Sequence, residues 1–416
     1  MVDGPADVPF ADKRQRDARC SELRGGPQGV HSRALVAAVH TRRERPPRER
    51  WDRGSITAMD DGDERDERLG EAELSRWRAP RASARREEAL RPGRDGRRAP
   101  AGGPVRGNVR SPRYRRVSHG LFLPVQESTT ERAEWLRDLR AWREVLPESA
   151  VFTGLTAARL AGWWCPPLPT WAPVFAAVSA GSTCPQRSGL VVSRYRRRSD
   201  HRTGWLEGLP VDGPAEVLLR CARDLDLLDL VPLVESALRS GAVTAEHVTE
   251  LCESRRPGVR VLRRALALSY RTTESAGESL LRLFMVVMGV DVEVQPTIRD
   301  QQGAFVARAD LRVRGTPLLF EYDGAVHRSR AAQHQDLRRE RTLVQAGQQR
   351  RGYTAEDLVR HPAVVMGEVD RALARDTDLG RLRTWRRLLD RSAYTEAGRA
   401  RLRTRWAVRM DVFGAG

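Results

Sequence analysis

The chain divides by where apolar positions acquire a period. From Met1 to about Pro104 no apolar periodicity is sustained, and Arg, Asp, Glu, Gly and Pro crowd the segment. This predicts a disordered extension over 1–104, read either as a solvated tail or as a loose nucleic-acid-binding arm. Order is expected from "VRSPRYRRVSHGLFLPV". There Tyr114, Val117, Leu121, Leu123 and Val125 alternate around Gly120, which predicts a small hairpin within 105–126. Ser128-x-x-Glu131 reads as a capping box opening a helix with Trp135, Leu139 and Trp142 on one face. "VFTGLTAARLAGWW" predicts a further helix, and "GLVVSRYRRR" a strand that ends in a basic cluster. Beyond Asp212, Leu218, Cys221, Leu225 and Leu228 recur at helical spacing. Pro232 is expected to start or bend the next helix, and Thr244 to cap another from Ala245. Residues 127–270 thus read as a mixed helical α/β domain.

A second period begins at Ser275-x-x-Glu278. This capping box starts a helix whose stripe is Leu280, Phe284, Val287 and Met288, stopped by Gly289. "VEVQPTIRD", "FVARADLRV" and "PLLFEYDG" then read as three strands, with turns at Asp300–Gly303 and Gly315–Pro317. An unusually polar strand, "QQRRGY", precedes a helix capped by Thr354 with Asp357 at its third position. The expected units are a domain over 271–375 and a helical tail over 376–416, in the α+β class.

Charge changes the picture more than bulk composition does. Charged residues make up 31% and hydrophobic ones 40% of the 416 residues, as in soluble globular proteins. The 73 basic residues against 55 acidic ones leave +18, an excess that favours nucleic acid as partner. Arginine supplies nearly all of it, Lys13 being the one lysine, so a site that ordinarily uses lysine must do without. No apolar run is long enough to span a bilayer, and Met1 to Arg24 lacks the apolar core of a signal peptide, which predicts a cytoplasmic protein with no membrane partner. Cys20, Cys165, Cys184, Cys221 and Cys252 form no CxxC pair and are expected as reduced thiols.

The candidate chemistry is acidic. Asp310 interrupts an apolar or arginine-alternating strand, and Glu321 and Asp323, two apart, project from one face of the next. Converging carboxylates repel unless a positive charge lies between them. One reading is a divalent cation, Mg²⁺ or Mn²⁺, which accepts such oxygen ligands beside a phosphate. The other is neutralisation in ion pairs by arginines such as Arg308, Arg312 and Arg314. Arg113, Arg115 and Arg116 on the hairpin, and Arg339, Arg350 and Arg351 after the acidic strand, are candidate nucleic-acid contacts; a solvated basic face is the alternative.

These residues carry a resemblance. Asp310, then Glu321-Tyr322-Asp323-Gly324 with His327, then Asp336 and Arg339 in a helix ending at Gly347, resemble nuclease-like domains related to the very-short-patch-repair (Vsr) endonuclease in the PD-(D/E)XK superfamily, over about Ser275 to Val369. The resemblance implies a restriction-endonuclease-like mixed sheet flanked by helices, with Asp310 and Glu321 as metal ligands. It places Asp323 where the superfamily has its lysine and leaves His327 as candidate general base or a satisfied loop histidine. It also matches Glu278 to the family's helix glutamate, a role its capping position can share. Upstream, "YRRVSHGLFLPV", "VFTGLTAARLAGW" and "GLPVDGPAEVLLRCARDLDLLDLV" are similar to the AbiEi-type antitoxin family. That similarity implies a winged helix whose recognition helix precedes the wing; this chain departs from it, since "GRDGRRAPAGGPVRG" in that place cannot form a sound helix.

The sequence therefore points to a metal-dependent DNA endonuclease. The alternatives are a non-catalytic AbiEi-like regulator that binds DNA or a toxin partner, and an interaction domain with a coincidental acidic cluster.

Overall fold

The computed structural model describes residues 103–126, 130–184, 186–195, 203–324 and 330–411. Residues 1–102 of the expected extension, Ser128 and His327 lie outside this set. Among the described residues the fold is α+β, with open sheets flanked by helices and no barrel. No helix among them is long and apolar enough to cross a membrane.

The first sheet has strands β1 (Val105–Arg106), β2 (Tyr114–Ser118) and β3 (Leu121–Pro124) in the order β1-β3-β2. Gly120, at φ +62°, makes the tight β2–β3 turn that a side chain would strain. Leu121 and Leu123 point inward onto Ala141 of helix α1 (Glu131–Arg143). That helix is capped by Thr130, whose hydroxyl accepts the Ala133 N–H, so it begins later than the Ser128-x-x-Glu131 pattern implied.

The second sheet is five-stranded. Strands β4 (Val151–Phe152), β5 (Val174–Ser179), β6 (Leu190–Tyr195), β7 (Thr203–Leu206) and β8 (Leu209–Asp212) are ordered β6-β5-β4-β8-β7. The expected helix from Val151 is therefore split. Val151 and Phe152, buried between two neighbouring strands, form the central strand, and α2 (Gly154–Leu160) starts at Gly154, whose φ is +51°. Helices α3 (Pro214–Cys221), α4 (Leu227–Arg239), α5 (Ala245–Cys252) and α6 (Val259–Ala267) follow. Pro232 does not start α4 but lies inside it. The helix opens at the Asp226 cap and runs through the proline with every residue from Leu227 to Leu238 buried, so packing overrides the lost hydrogen bond.

Helix α7 (Ala276–Val287) joins the two halves. It packs on α4 on one side and, on the other, on a mixed sheet ordered β14-β13-β12-β9, formed by β9 (Val292–Val294), β12 (Leu311–Val313), β13 (Leu318–Tyr322) and β14 (Gln349–Tyr353). β10 (Thr297–Arg299) and β11 (Phe305–Arg308) form a separate two-stranded ribbon. Two expected strands are thus each broken, at Gln295–Pro296 and at Ala309–Asp310. The breaks face each other, with Gln295 N–H donating to the Asp310 carbonyl at 2.9 Å and Ala309 N–H to the Pro296 carbonyl at 3.2 Å.

Period-two alternation in β13 sorts its residues between layers. Leu318 and Phe320 enter the main core beneath α7, while Leu319 packs with Ile298, Ala307, Ala309 and Leu343 beneath the ribbon and helix α8 (Arg330–Gln345). Glu321 shares the face of Leu319.

Helices α9 (Ala355–Arg360), α10 (Pro362–Ala372), α11 (Leu379–Leu389) and α12 (Glu396–Asp411) complete the chain. The last two, expected as a tail, are docked. Trp385 stands edge-on to Phe284 of α7 at 5.1 Å, and Trp406 edge-on to Phe175 of β5 at 5.7 Å. One continuous apolar core accordingly runs from Leu136 to Trp406.

Candidate active site

Asp310 sits at the bend between β11 and β12. The β12–β13 ladder pairs Leu311 with Phe320 and goes no further, which leaves the Tyr322 N–H without a strand carbonyl. That N–H donates instead to Asp310 Oδ2 at 2.8 Å. Burial pushes the Asp310 carboxyl up to about 7. The Glu278 and Glu321 charges add to the rise, and the Tyr322 N–H and Arg339 oppose it.

Glu278 is the third residue of α7, fixed by Ser275, whose hydroxyl accepts the Glu278 N–H at 3.2 Å. Its carboxylate does not close the reciprocal box on Ser275. Oε2 accepts the Glu274 N–H at 2.9 Å and the Gln295 side-chain amide at 2.8 Å. The Ser275 hydroxyl thus caps the helix start, while the Glu278 carboxylate is held by Glu274 and Gln295. Gln295 holds a left-handed backbone, φ +52°, an arrangement that costs about 1 kcal/mol or more in a non-glycine residue. Its amide group binds Glu278 while its backbone N–H binds the Asp310 carbonyl. Sequence reasoning missed Gln295; the signal available was a Gln-Pro step interrupting an alternating strand.

Glu321 is buried, with a side chain only 7% exposed, and both of its oxygens are engaged. Arg339 Nη2 donates to Oε1 at 2.7 Å and Arg350 Nε to Oε2 at 2.5 Å. Asp323 continues the ladder, its N–H donating to the Tyr353 carbonyl at 2.9 Å, and its Oδ1 receives Arg350 Nη2 at 3.3 Å. The parallel register places Gly352 beside Glu321, and the Asp323 carboxylate fills the space above that glycine. A Cβ there would stand 1.9 Å from Oδ2. Arg350 also lies 3.6 Å from Glu340 of α8. The polar character of β14 has its explanation here: Arg350 enters a set of carboxylates, not an apolar layer.

The fold thus gathers Glu278, Asp310, Glu321, Asp323, Arg339 and Arg350. Arg351, on the alternate face of β14, lies against Tyr353 instead. Arg113, Arg115 and Arg116 belong to the small first sheet. Arg115 is held by Glu134 at 2.5 Å and by Asp138, Arg116 turns to the Ser118 carbonyl and His119, and Arg113 is exposed. The arginines expected to neutralise the acidic residues are engaged elsewhere, Arg308 with Glu274, Arg312 with Glu293 at 2.5 Å and Arg314 with Asp291 at 3.5 Å.

Among the described residues no group of three or more His, Cys, Asp or Glu side chains stands ready to hold a metal ion. The donor chemistry nevertheless fits one. Asp310, Glu321 and Asp323 offer hard oxygen ligands of the kind Mg²⁺ takes. A cation at Glu321 must exchange with the guanidinium groups of Arg339 and Arg350. No family model, curated protein or solved structure matches this chain, so the residues of this site rest on their own geometry.

Proposed function

We propose that residues 271–375 act as a Mg²⁺- or Mn²⁺-dependent endodeoxyribonuclease of the Vsr-like PD-(D/E)XK type, hydrolysing phosphodiester bonds in DNA. One observation carries this reading: hydrogen bonds hold three separate segments together so that the Glu278 and Glu321 charges both act on Asp310. Asp310 accepts the N–H of the residue following Glu321, and Gln295 links the Asp310 peptide to the Glu278 carboxylate. Asp310 and Glu321 hold the metal, Asp323 is a further ligand or orients one, and Glu278 is held beside them. When bound, the metal polarises the phosphodiester and lowers the pKa of the attacking water. Arg339 and Arg350 meet the phosphate, and His327, outside the described residues, is the candidate base.

The double engagement of Glu321 by arginine favours a second reading. In it the acidic residues are permanently neutralised, and the chain is an AbiEi-like regulator that binds DNA or a toxin partner. Incubation of the purified chain with supercoiled plasmid and Mg²⁺ or Mn²⁺, beside Asp310→Ala and Glu321→Ala, separates the two. Nicking by wild type that both substitutions abolish supports the nuclease. Nicking that survives both, or none by any protein, overturns it.

A further inference from the structure

Glu321 poses a problem of access. Its carboxylate is buried and both oxygens carry charge-assisted hydrogen bonds, so an arriving cation finds the ligand already occupied. The two occupants differ in freedom. Arg350 is 15% exposed and spreads its three nitrogens over Glu321, Asp323 and Glu340. Arg339 is 38% exposed on α8 and divides one nitrogen between Glu321 and the Arg308 carbonyl at 2.8 Å.

Resting on the nuclease reading of Asp310 and Glu321, we infer that Arg350 and Arg339 latch the site. Their guanidinium groups hold the place of the divalent cation at Glu321, and a phosphodiester backbone draws them away, so that metal enters together with DNA.

Charge makes this exchange balanced. Two guanidinium groups carry the charge of one divalent cation, so Glu321 faces +2 before and after. The displaced arginines gain phosphate oxygens, which the same planar fork binds in the same two-pronged way as a carboxylate. A lysine ammonium, a compact point charge, lacks the separate nitrogens through which Arg350 reaches Glu321 and Asp323. Without DNA the latch also spares the crowded carboxylates of Asp310, Glu321 and Asp323 from facing each other unpaired. Coupling of this kind is reciprocal: whatever factor DNA adds to metal affinity, metal adds to DNA affinity.

The test is metal affinity, read without cleavage. Mn²⁺ binding to the full chain is measured by the paramagnetic resonance of the free ion, for wild type and Arg350→Met. Ca²⁺ binding is measured by calorimetry with and without a short DNA duplex. Arg350→Met is expected to bind Mn²⁺ about tenfold more tightly than wild type without DNA, and the duplex to tighten Ca²⁺ binding to wild type by a similar factor of about ten while changing Arg350→Met little. Equal affinities for the two proteins, weaker binding by the variant, or equal tightening of both by DNA overturns the latch. If Arg350→Met does not fold by circular dichroism, Arg339→Gln takes its place, with a smaller gain expected and no gain contradicting the inference. The outcome is separable from the nuclease reading. Tighter metal binding without plasmid cleavage by either protein leaves the latch standing and removes the nuclease, whereas cleavage with equal affinities does the reverse.

Discussion

The ring of Tyr322 fills the space where any side chain at position 277 would begin, a Cβ there standing 2.0 Å from Cε1. Helix α7 can therefore lie directly against the end of β13, which brings Glu278 near Asp310 and Glu321. Gly277→Ala exchanges a poor helix former for the best one, worth about 1 kcal/mol on propensity alone. The expected result is the opposite sign, a loss of about 1–3 kcal/mol in urea denaturation, because the ring or the helix must shift.

Gln295 separates stability from site geometry. Gln295→Gly removes the cost of a left-handed non-glycine backbone and also removes the amide that orients Glu278. Stability is expected to hold or rise by less than about 1 kcal/mol. Metal affinity or cleavage should fall by about 10–100-fold, as when an outer hydrogen-bond partner of a metal site is lost. An unchanged affinity and rate would place Gln295 outside the site.

Much of the site's local half was legible in the sequence. Ser275, Thr244 and Thr354 cap the helices their spacing marks, and Gly289 and Gly315 stand, at positive φ, where a helix stop and a turn were expected. Each is settled within one turn of chain, which pattern reading captures. What escaped was long-range. Arg350 meets Glu321 through the parallel pairing of β13 with β14, across 29 residues, and neither residue's neighbours announce it. The breaks at Gln295 and Ala309 arise from two strands bending against each other. The continuity of α4 through Pro232, and the docking of Trp385 and Trp406, depend on packing surfaces that local propensity does not contain.

The join between the two halves rests partly on a buried ion pair. Arg282 of α7 meets Glu235 of α4 at 2.5 Å, with side chains 2% and 0% exposed, and Glu235 also receives Ser279 and the Tyr270 N–H. Glu235→Gln leaves the Arg282 charge buried without its counter-ion and is expected to cost about 3–5 kcal/mol. The double variant Glu235→Leu, Arg282→Met should lie within about 1–2 kcal/mol of wild type, since it removes both charges together. A double-mutant cycle in urea checks both.

Asp229 gives stability a pH dependence. Burial pushes its carboxyl up to about 7, opposed by the Ser392 hydroxyl and the Ala393 N–H, raised further by Asp226 and lowered by Arg401. The folded value exceeds the ordinary 3.8, so the folded state binds the extra proton between those two limits. The contribution is complete below the lower limit, declines as pH rises and is lost above the upper one. Wild type should therefore lose stability relative to Asp229→Asn, by about 4 kcal/mol at most, between about pH 4 and pH 7. Denaturation curves of the two proteins at a series of pH values check the slope.

The most direct measurement of the central claim is a crystal of the full chain grown with Mn²⁺ and a short DNA duplex, with the metal located by its anomalous scattering. The expected result is a Mn²⁺ ion bonded to carboxylate oxygens of both Asp310 and Glu321, with Arg350 turned from Glu321 to a phosphate. An absence of metal at these carboxylates, with Arg339 and Arg350 still on Glu321 beside bound DNA, would contradict it.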